Sequence, residues 1–297
     1  MTNDSRRYLD PEVASRVSSL ELRARQIVEG LMSGRHRSAL KGQSVEFAQH
    51  REYTPGDDLR HLDWKVWAKQ DRLYIKEFVE ETNLRATILL DASASMDYGT
   101  GETHKHSYAS LLAAAVSYLL LRQSDSVGLV TFDQEIRAEV PHRNPTTHLQ
   151  TILHALHVES PKKKTDLEAI MRRVSESQSR PGMVVLISDL LADRESVLKS
   201  LRMLRQRRHD VIVFHLLHED EMEFTFKGMT RFVGLEEAAQ LTCDPRALRE
   251  DYLESLERYL GDLRRLAGQT GVDYRLTRTS EPIDAVLARL LHERIRA

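Results

Sequence analysis

Leu84-Arg85-Ala86-Thr87-Ile88-Leu89-Leu90-Asp91-Ala92-Ser93-Ala94-Ser95-Met96 decides how this chain reads. An apolar run ends in an acid, and two hydroxyls follow at alternate positions. The run predicts a buried strand, and the turn after it places a carboxylate and hydroxyls at one fixed pivot. Hard oxygen donors of this kind suit Mg²⁺ or Mn²⁺, whereas a softer metal wants His or Cys. By itself D-x-S-x-S is a weak signal, because Asp and Ser also cap helices and make turns.

Two further stretches add to it. Residues 183–189 (MVVLISD) repeat the pattern of an apolar run closed by an acid, Asp189, and Lys164-Thr165-Asp166 lies in a polar loop before a helical segment. In a parallel sheet the carboxyl ends of the strands share one rim, so Asp91, Asp189 and the loop of Thr165 can converge there. Turn and cap roles account for any one of these residues. Five oxygen donors in this order, Asp91, Ser93, Ser95, Thr165 and Asp189, form a specific pattern.

The rest of the chain supports a parallel sheet. From residue 84 onward the apolar patterns predict strands at 84–91, 127–132, 183–188, 211–217 and 272–276, with an edge strand at 135–140. Helices are predicted at 107–122, 147–157, 166–178, 194–207, 245–267 and 282–295. Such alternation predicts an α/β fold, a mostly parallel sheet between two layers of helices, with sites at the carboxyl ends of the strands. Ahead of it, Asp10-Pro11 starts a helix whose apolar positions Val13, Val17, Leu20, Ile27, Val28 and Leu31 run to Gly34. Residues 43–79 hold short alternating runs broken by Thr54-Pro55-Gly56-Asp57, a turn signal, and predict a small β-rich subdomain. The expected plan is a helical segment at 1–34, the β-rich subdomain at 35–82 and the main domain at 83–297.

The five-donor pattern resembles the metal-ion-dependent adhesion site (MIDAS) of the von Willebrand factor A domain, a three-layer Rossmann-like fold. The resemblance implies that the hydroxyls of Ser93, Ser95 and Thr165 bind a Mg²⁺ or Mn²⁺ ion, with Asp91 and Asp189 acting directly or through water. It also implies an open position filled by an acidic residue of a protein ligand, hence adhesion rather than turnover. A second resemblance lies upstream, in residues 34–38 (GRHRS), 42–47 (GQSVEF), 51–60 (REYTPGDDLR) and 61–65 (HLDWK). These are similar to the block preceding the A-like domain in a bacterial family catalogued as domain of unknown function 58, and the similarity extends from about residue 9 to the end. That resemblance implies a MoxR-type AAA+ ATPase as partner and a role in maturing or remodelling a client. Many members carry membrane helices ahead of this block; Met1 to Asp10 is polar here, so no anchor is expected.

Composition fits a soluble cytoplasmic protein. The 297 residues, 41% hydrophobic and 30% charged, suffice for a substantial core. With 43 basic and 45 acidic residues the net charge is -2, which supplies no global field for nucleic acid or an anionic membrane. A single cysteine, Cys243, excludes an internal disulfide and reads as structural. No apolar run approaches the roughly 18 residues of a membrane span. Residues 201–209 (LRMLRQRRH) read as the solvated face of a helix with Leu201 and Leu204 inward.

An enzyme is the competing reading, a metal-dependent phosphatase or nuclease using Asp91 and Asp189. Aspartyl-phosphate chemistry, however, usually places an acid two positions after the nucleophile, where this chain has Ser93. No G-x-x-x-x-G-K-[ST], G-x-S-x-G or H-E-x-x-H motif is present. His104 and His106 read as solvated loop residues, and His215 and His218 as strand-end residues, since nothing completes a zinc set. Lys162-Lys163-Lys164, just before Thr165, read first as an exposed charged loop; near the rim they would disfavour a cation and favour an acidic partner. Asp57 and Asp58 read as turn residues with Arg60 as ion-pair partner, and Trp64 and Trp67 as core anchors.

Overall fold

The computed structural model describes residues 11–33, 46–52, 66, 74–79, 84–157, 166–178, 180–235 and 240–296. The chain forms two compact units, one of residues 1–39 and 85–297, the other of residues 40–84. Helix α1 (Pro11–Ser33) belongs to the larger unit. The smaller unit contains strands β1 (Glu46–Glu52) and β2 (Tyr74–Val79), paired antiparallel with a bulge between Phe47 and Gln49. Thr54, Asp57, Asp58, Arg60, Trp64 and Trp67 lie outside the described residues.

In the larger unit, β3 (Arg85–Asp91) is followed by α2 (Lys105–Arg122), β4 (Ser126–Phe132), β5 (Ile136–Arg143) and α3 (His148–His157). Then come α4 (Leu167–Ser177), β6 (Met183–Ser188), α5 (Arg194–Gln206), β7 (Asp210–Leu217), α6 (Glu219–Glu223), β8 (Thr230–Val233) and β9 (Gln240–Cys243). Helix α7 (Pro245–Thr270), β10 (Asp273–Arg278) and α8 (Ile283–Arg296) complete it. The main sheet has the order β10-β7-β6-β3-β4-β5, parallel except for β5, which runs antiparallel at the edge. Strand β3 is flanked by β4 on one side and β6 on the other, so the chain reverses its winding there. In doubly wound sheets the crevice at such a reversal is where ligands bind.

The unbroken apolar runs of β3, β6 and β7 follow from burial on both faces. One face packs against α4, α5 and α7 through Leu167, Ile170, Met171, Val197, Leu201, Leu204 and Leu263. The other is covered by α2, buried at nearly every position from Tyr108 to Leu121, as expected of a helix that is apolar all round. Helices α1 and α3 in turn pack on α2. From α1, Val17, Ala24, Val28 and Leu31 are buried.

Several boundaries differ from the sequence reading for local reasons. Helix α2 starts at Lys105, not at 107, because the His104 ring accepts the Ser107 N–H as an N-cap, a role for which histidine gives little warning. His104 and His106 are therefore not solvated loop residues. His104 also meets Asp97 at 3.1 Å, and His106 lies in the first turn of α2, where burial pushes its imidazole down to about 4. Helix α7 runs past Ala267 to Thr270: Gly268, where a Cβ would meet nothing, sits inside it, and Gly271 at φ +68° ends it. Helix α6 and the β8-β9 hairpin were not anticipated.

Candidate functional site

Asp91 is the last residue of β3 and is 1% exposed. Its Oδ1 accepts the Ser93 N–H at 2.9 Å, and its Oδ2 accepts the Ser188 hydroxyl at 2.6 Å. The first bond folds the turn back on the strand end, and residues 94–96 continue it as one short 3-10 turn. Their hydroxyls, both buried, lie 3.0 Å apart.

Asp189 follows β6 directly and is also buried. Its Oδ2 accepts the Lys105 ammonium at 2.6 Å and its Oδ1 the Leu191 N–H at 3.2 Å. The Ser95 hydroxyl also helps to hold this carboxylate's pKa down. Between them Leu190 takes a left-handed φ of 51°, a conformation that costs a branched residue about 1–2 kcal/mol. Its N–H is held by the Ser188 hydroxyl at 2.9 Å, and its side chain is buried. The kink leaves Leu191 exposed beside the rim.

The two acids have opposite electrostatics. Burial, and then the charge of Asp189, raise the Asp91 carboxyl to about 7. Burial acts the same way on Asp189, but the Lys105 ammonium outweighs it and holds Asp189 below the ordinary carboxylate range. Burial also works against the Lys105 charge, and Asp189 and Glu221 together overcome it.

Sequence reasoning did not find Lys105, Ser188 or Glu221 as parts of this cluster. Lys105 is the first residue of α2, 1% exposed, and meets Glu221 Oε1 at 2.9 Å as well as Asp189. Glu221 lies in α6, where its Oε2 accepts the His218 N–H at 2.7 Å in a capping box. The sequence offered only a lysine just ahead of an apolar helical run, which does not by itself mark a buried ion pair.

Four of the five expected donors, Asp91, Ser93, Ser95 and Asp189, thus meet at the switch point, while Thr165 and Lys162 to Lys164 lie outside the described residues. Asp166 caps α4 by accepting the Ala169 N–H at 3.1 Å. Among the described residues no group of three or more His, Cys, Asp or Glu is arranged to hold a metal ion, so a cation here needs the hydroxyls. The donor chemistry fits one: adjacent vertices of an octahedron with arms of about 2.0–2.1 Å lie about 3 Å apart, the separation of the two serine oxygens. Three carboxylates (Asp91, Asp189, Glu221) and one ammonium (Lys105) also sum to a formal -2 when ionised, the charge a divalent cation would balance.

His215, near the end of β7, is buried, and burial pushes it down to about 4; its Nδ1 pairs with the Tyr274 hydroxyl at 2.6 Å. His218 caps α6. Neither belongs to a zinc set among the described residues. The Arg205 and Arg207 side chains are not simply solvated, because they clasp the Thr270, His209 and Ser175 carbonyls. Cys243 ends β9 and is free.

A family model described as "Protein of unknown function DUF58" matches residues 49–259. The chain belongs to the DUF58 family. Among curated proteins, this DUF58 chain is 27% identical over 294 residues to the uncharacterized protein Rv1480 of Mycobacterium tuberculosis, covering 97% of this chain and 91% of that one. The uncharacterized protein Mb1516 of Mycobacterium bovis matches with the same figures. Among solved structures, the conserved hypothetical protein BatB from Bacteroides thetaiotaomicron aligns at 13% identity and a TM-score of 0.48, over 72% of this chain and 100% of that one. The vWF domain of the type V pili tip protein Mfa5 from Porphyromonas gingivalis aligns at 12% identity and a TM-score of 0.34, over 70% and 95%. The DUF58 chain has the α/β architecture expected from its sequence, a six-stranded, mostly parallel sheet with helices packed on both faces.

Proposed function

We propose that this DUF58 protein is a non-enzymatic, metal-dependent adaptor. Asp91, Ser93, Ser95 and Asp189, with Thr165 as fifth donor, would hold Mg²⁺ or Mn²⁺, which when bound supplies an electrophilic position for an acidic residue of a protein ligand. The partner proposed from the family resemblance is a MoxR-type AAA+ ATPase, which would contribute the nucleotide energy that this chain has no motif to harvest. Maturation or remodelling of a client protein is the role that follows, in the cytoplasm.

One observation carries this reading: two buried hydroxyls 3.0 Å apart between two buried carboxylates at the reversal point of the sheet. Chemistry by Asp91 as a nucleophile is less well supported. Both of its oxygens are engaged by Ser93 and Ser188, and Ser93 offers no acid to a leaving group.

Calorimetric titration with Mg²⁺ and Mn²⁺ tests it, wild type beside the Ser93→Ala, Ser95→Ala double variant. Saturable one-site binding lost in the variant is expected, followed by chelator-sensitive capture of a MoxR-type ATPase. Equal binding by both proteins would remove the hydroxyls from the site.

A further inference from the structure

Within the cluster Lys105 places a fixed positive charge against one of the carboxylates proposed to hold the metal. Its side chain is 1% exposed and its ammonium spans two carboxylates, at 2.6 Å from Asp189 and 2.9 Å from Glu221. Asp189 is thereby engaged at both oxygens, Oδ2 by Lys105 and Oδ1 by the Leu191 N–H. A second cation approaching Asp189 meets a positive charge already seated on it, in surroundings dry enough for that repulsion to be felt.

Glu221 gives the ammonium a second seat. Its own position is fixed from two sides, by the His218 N–H on Oε2 at 2.7 Å and by the Tyr252 hydroxyl donating to its backbone carbonyl at 2.8 Å. A lysine is a compact point charge on a flexible stem, so a small displacement moves its weight from one carboxylate to the other. Asp189 follows β6, Lys105 heads α2 and Glu221 lies in α6, so the ammonium joins three segments that sequence separates by 84 and 116 positions.

We propose that Lys105 is an internal competitor for the metal: by sharing its charge between Asp189 and Glu221 it sets the affinity of the site for a divalent cation and ties cation binding to helix α6. This rests on the metal reading above. Lys105 is a specificity-determining residue in this scheme and is not itself a ligand.

The test is calorimetric titration with Mn²⁺ and with Mg²⁺ of the full chain as wild type, Lys105→Met, Glu221→Gln and Arg137→Met. Arg137 is the control, since it removes the same charge from a neighbouring acid of the rim, Asp133, which it meets at 2.9 Å. Lys105→Met is expected to bind about tenfold tighter or more, because the charge seated on Asp189 is gone. Glu221→Gln, which leaves the ammonium wholly to Asp189, is expected to bind several-fold more weakly, and Arg137→Met to stay within about twofold of wild type. Glu221→Gln keeps the Lys105-Asp189 pair, so it carries the test if Lys105→Met does not fold. Wild-type affinity in both Lys105→Met and Glu221→Gln overturns the role of Lys105 and leaves the metal site standing. A gain in Arg137→Met equal to that in Lys105→Met overturns it too, in favour of bulk rim charge. Absence of binding in all four proteins overturns the metal reading itself and the competitor role with it.

Discussion

Asp91 is buried against its own charge. In the unfolded chain its carboxyl ionises near 3.8, and in the fold at about 7, with burial the first cause. Between those values the folded chain keeps a proton that the unfolded chain has lost. The group's contribution to stability is therefore greatest in acid and declines as pH rises through 7, the reverse of the usual carboxylate. Asp189, held low by Lys105, behaves oppositely: its contribution is present above its unfolded pKa and is lost as pH falls through its folded one. Asp91→Asn keeps an acceptor for the Ser93 N–H and removes the buried charge. In excess chelator it should be more stable than wild type by roughly 1–3 kcal/mol at pH 8, an advantage that grows between pH 4 and 7 and then levels off. Denaturant melts across that range check it, and a difference independent of pH would contradict the assignment.

At the scale of elements, α2 is enclosed by the sheet on one side and by α1 and α3 on the other, so α1 has to fit closely. Ala24 has no exposed surface, and a leucine there must push α1 away; Ala24→Leu should cost about 1–3 kcal/mol. Leu22, two positions earlier, is 58% exposed, and Leu22→Glu should change stability by less than about 0.5 kcal/mol. Thermal melts of the two variants compare these outcomes. The same logic explains what the sequence disclosed. Strands β3, β6 and β7 and the core of α2 were legible because burial on both faces leaves apolar runs with few interruptions, and α5 and α7 because burial on one side leaves apolar residues at helical spacing. Asp91, Ser93, Ser95 and Asp189 could be placed because acids that close such runs fall on one rim of a parallel sheet. Helix α6 was illegible because Glu219-Asp220-Glu221-Met222-Glu223 is too short to show a helical period, and its order comes from the His218 cap and from Lys105, a partner far away in sequence. Lys105 itself stayed hidden because propensity and periodicity see neighbours along the chain, while an ion pair between α2, β6 and α6 exists only once the sheet has brought them together.

For the molecule as a whole, a cation at the rim would couple to global stability, since the donors come from segments that only the folded sheet brings together. One-site binding at about a hundredfold excess over Kd adds about 2.7 kcal/mol, which for a unit of this size raises Tm by roughly 5 °C or more. Mg²⁺ or Mn²⁺ should raise the melting temperature of wild type accordingly, excess chelator should abolish the rise, and the Ser93→Ala, Ser95→Ala variant should show none. Among the described residues no helix is long and apolar enough to cross a membrane. Strand β3 has hydrogen-bonded neighbours on both sides and is buried from Ala86 to Asp91, whereas the β8-β9 hairpin is a separate ribbon that leaves Val233 and Leu241 half exposed. Protons on the β3 amides should accordingly be among the last to trade with heavy water, and those of the hairpin among the first. Asp91 hangs from a central, buried strand of the sheet, so fluctuations that loosen the periphery leave its position intact.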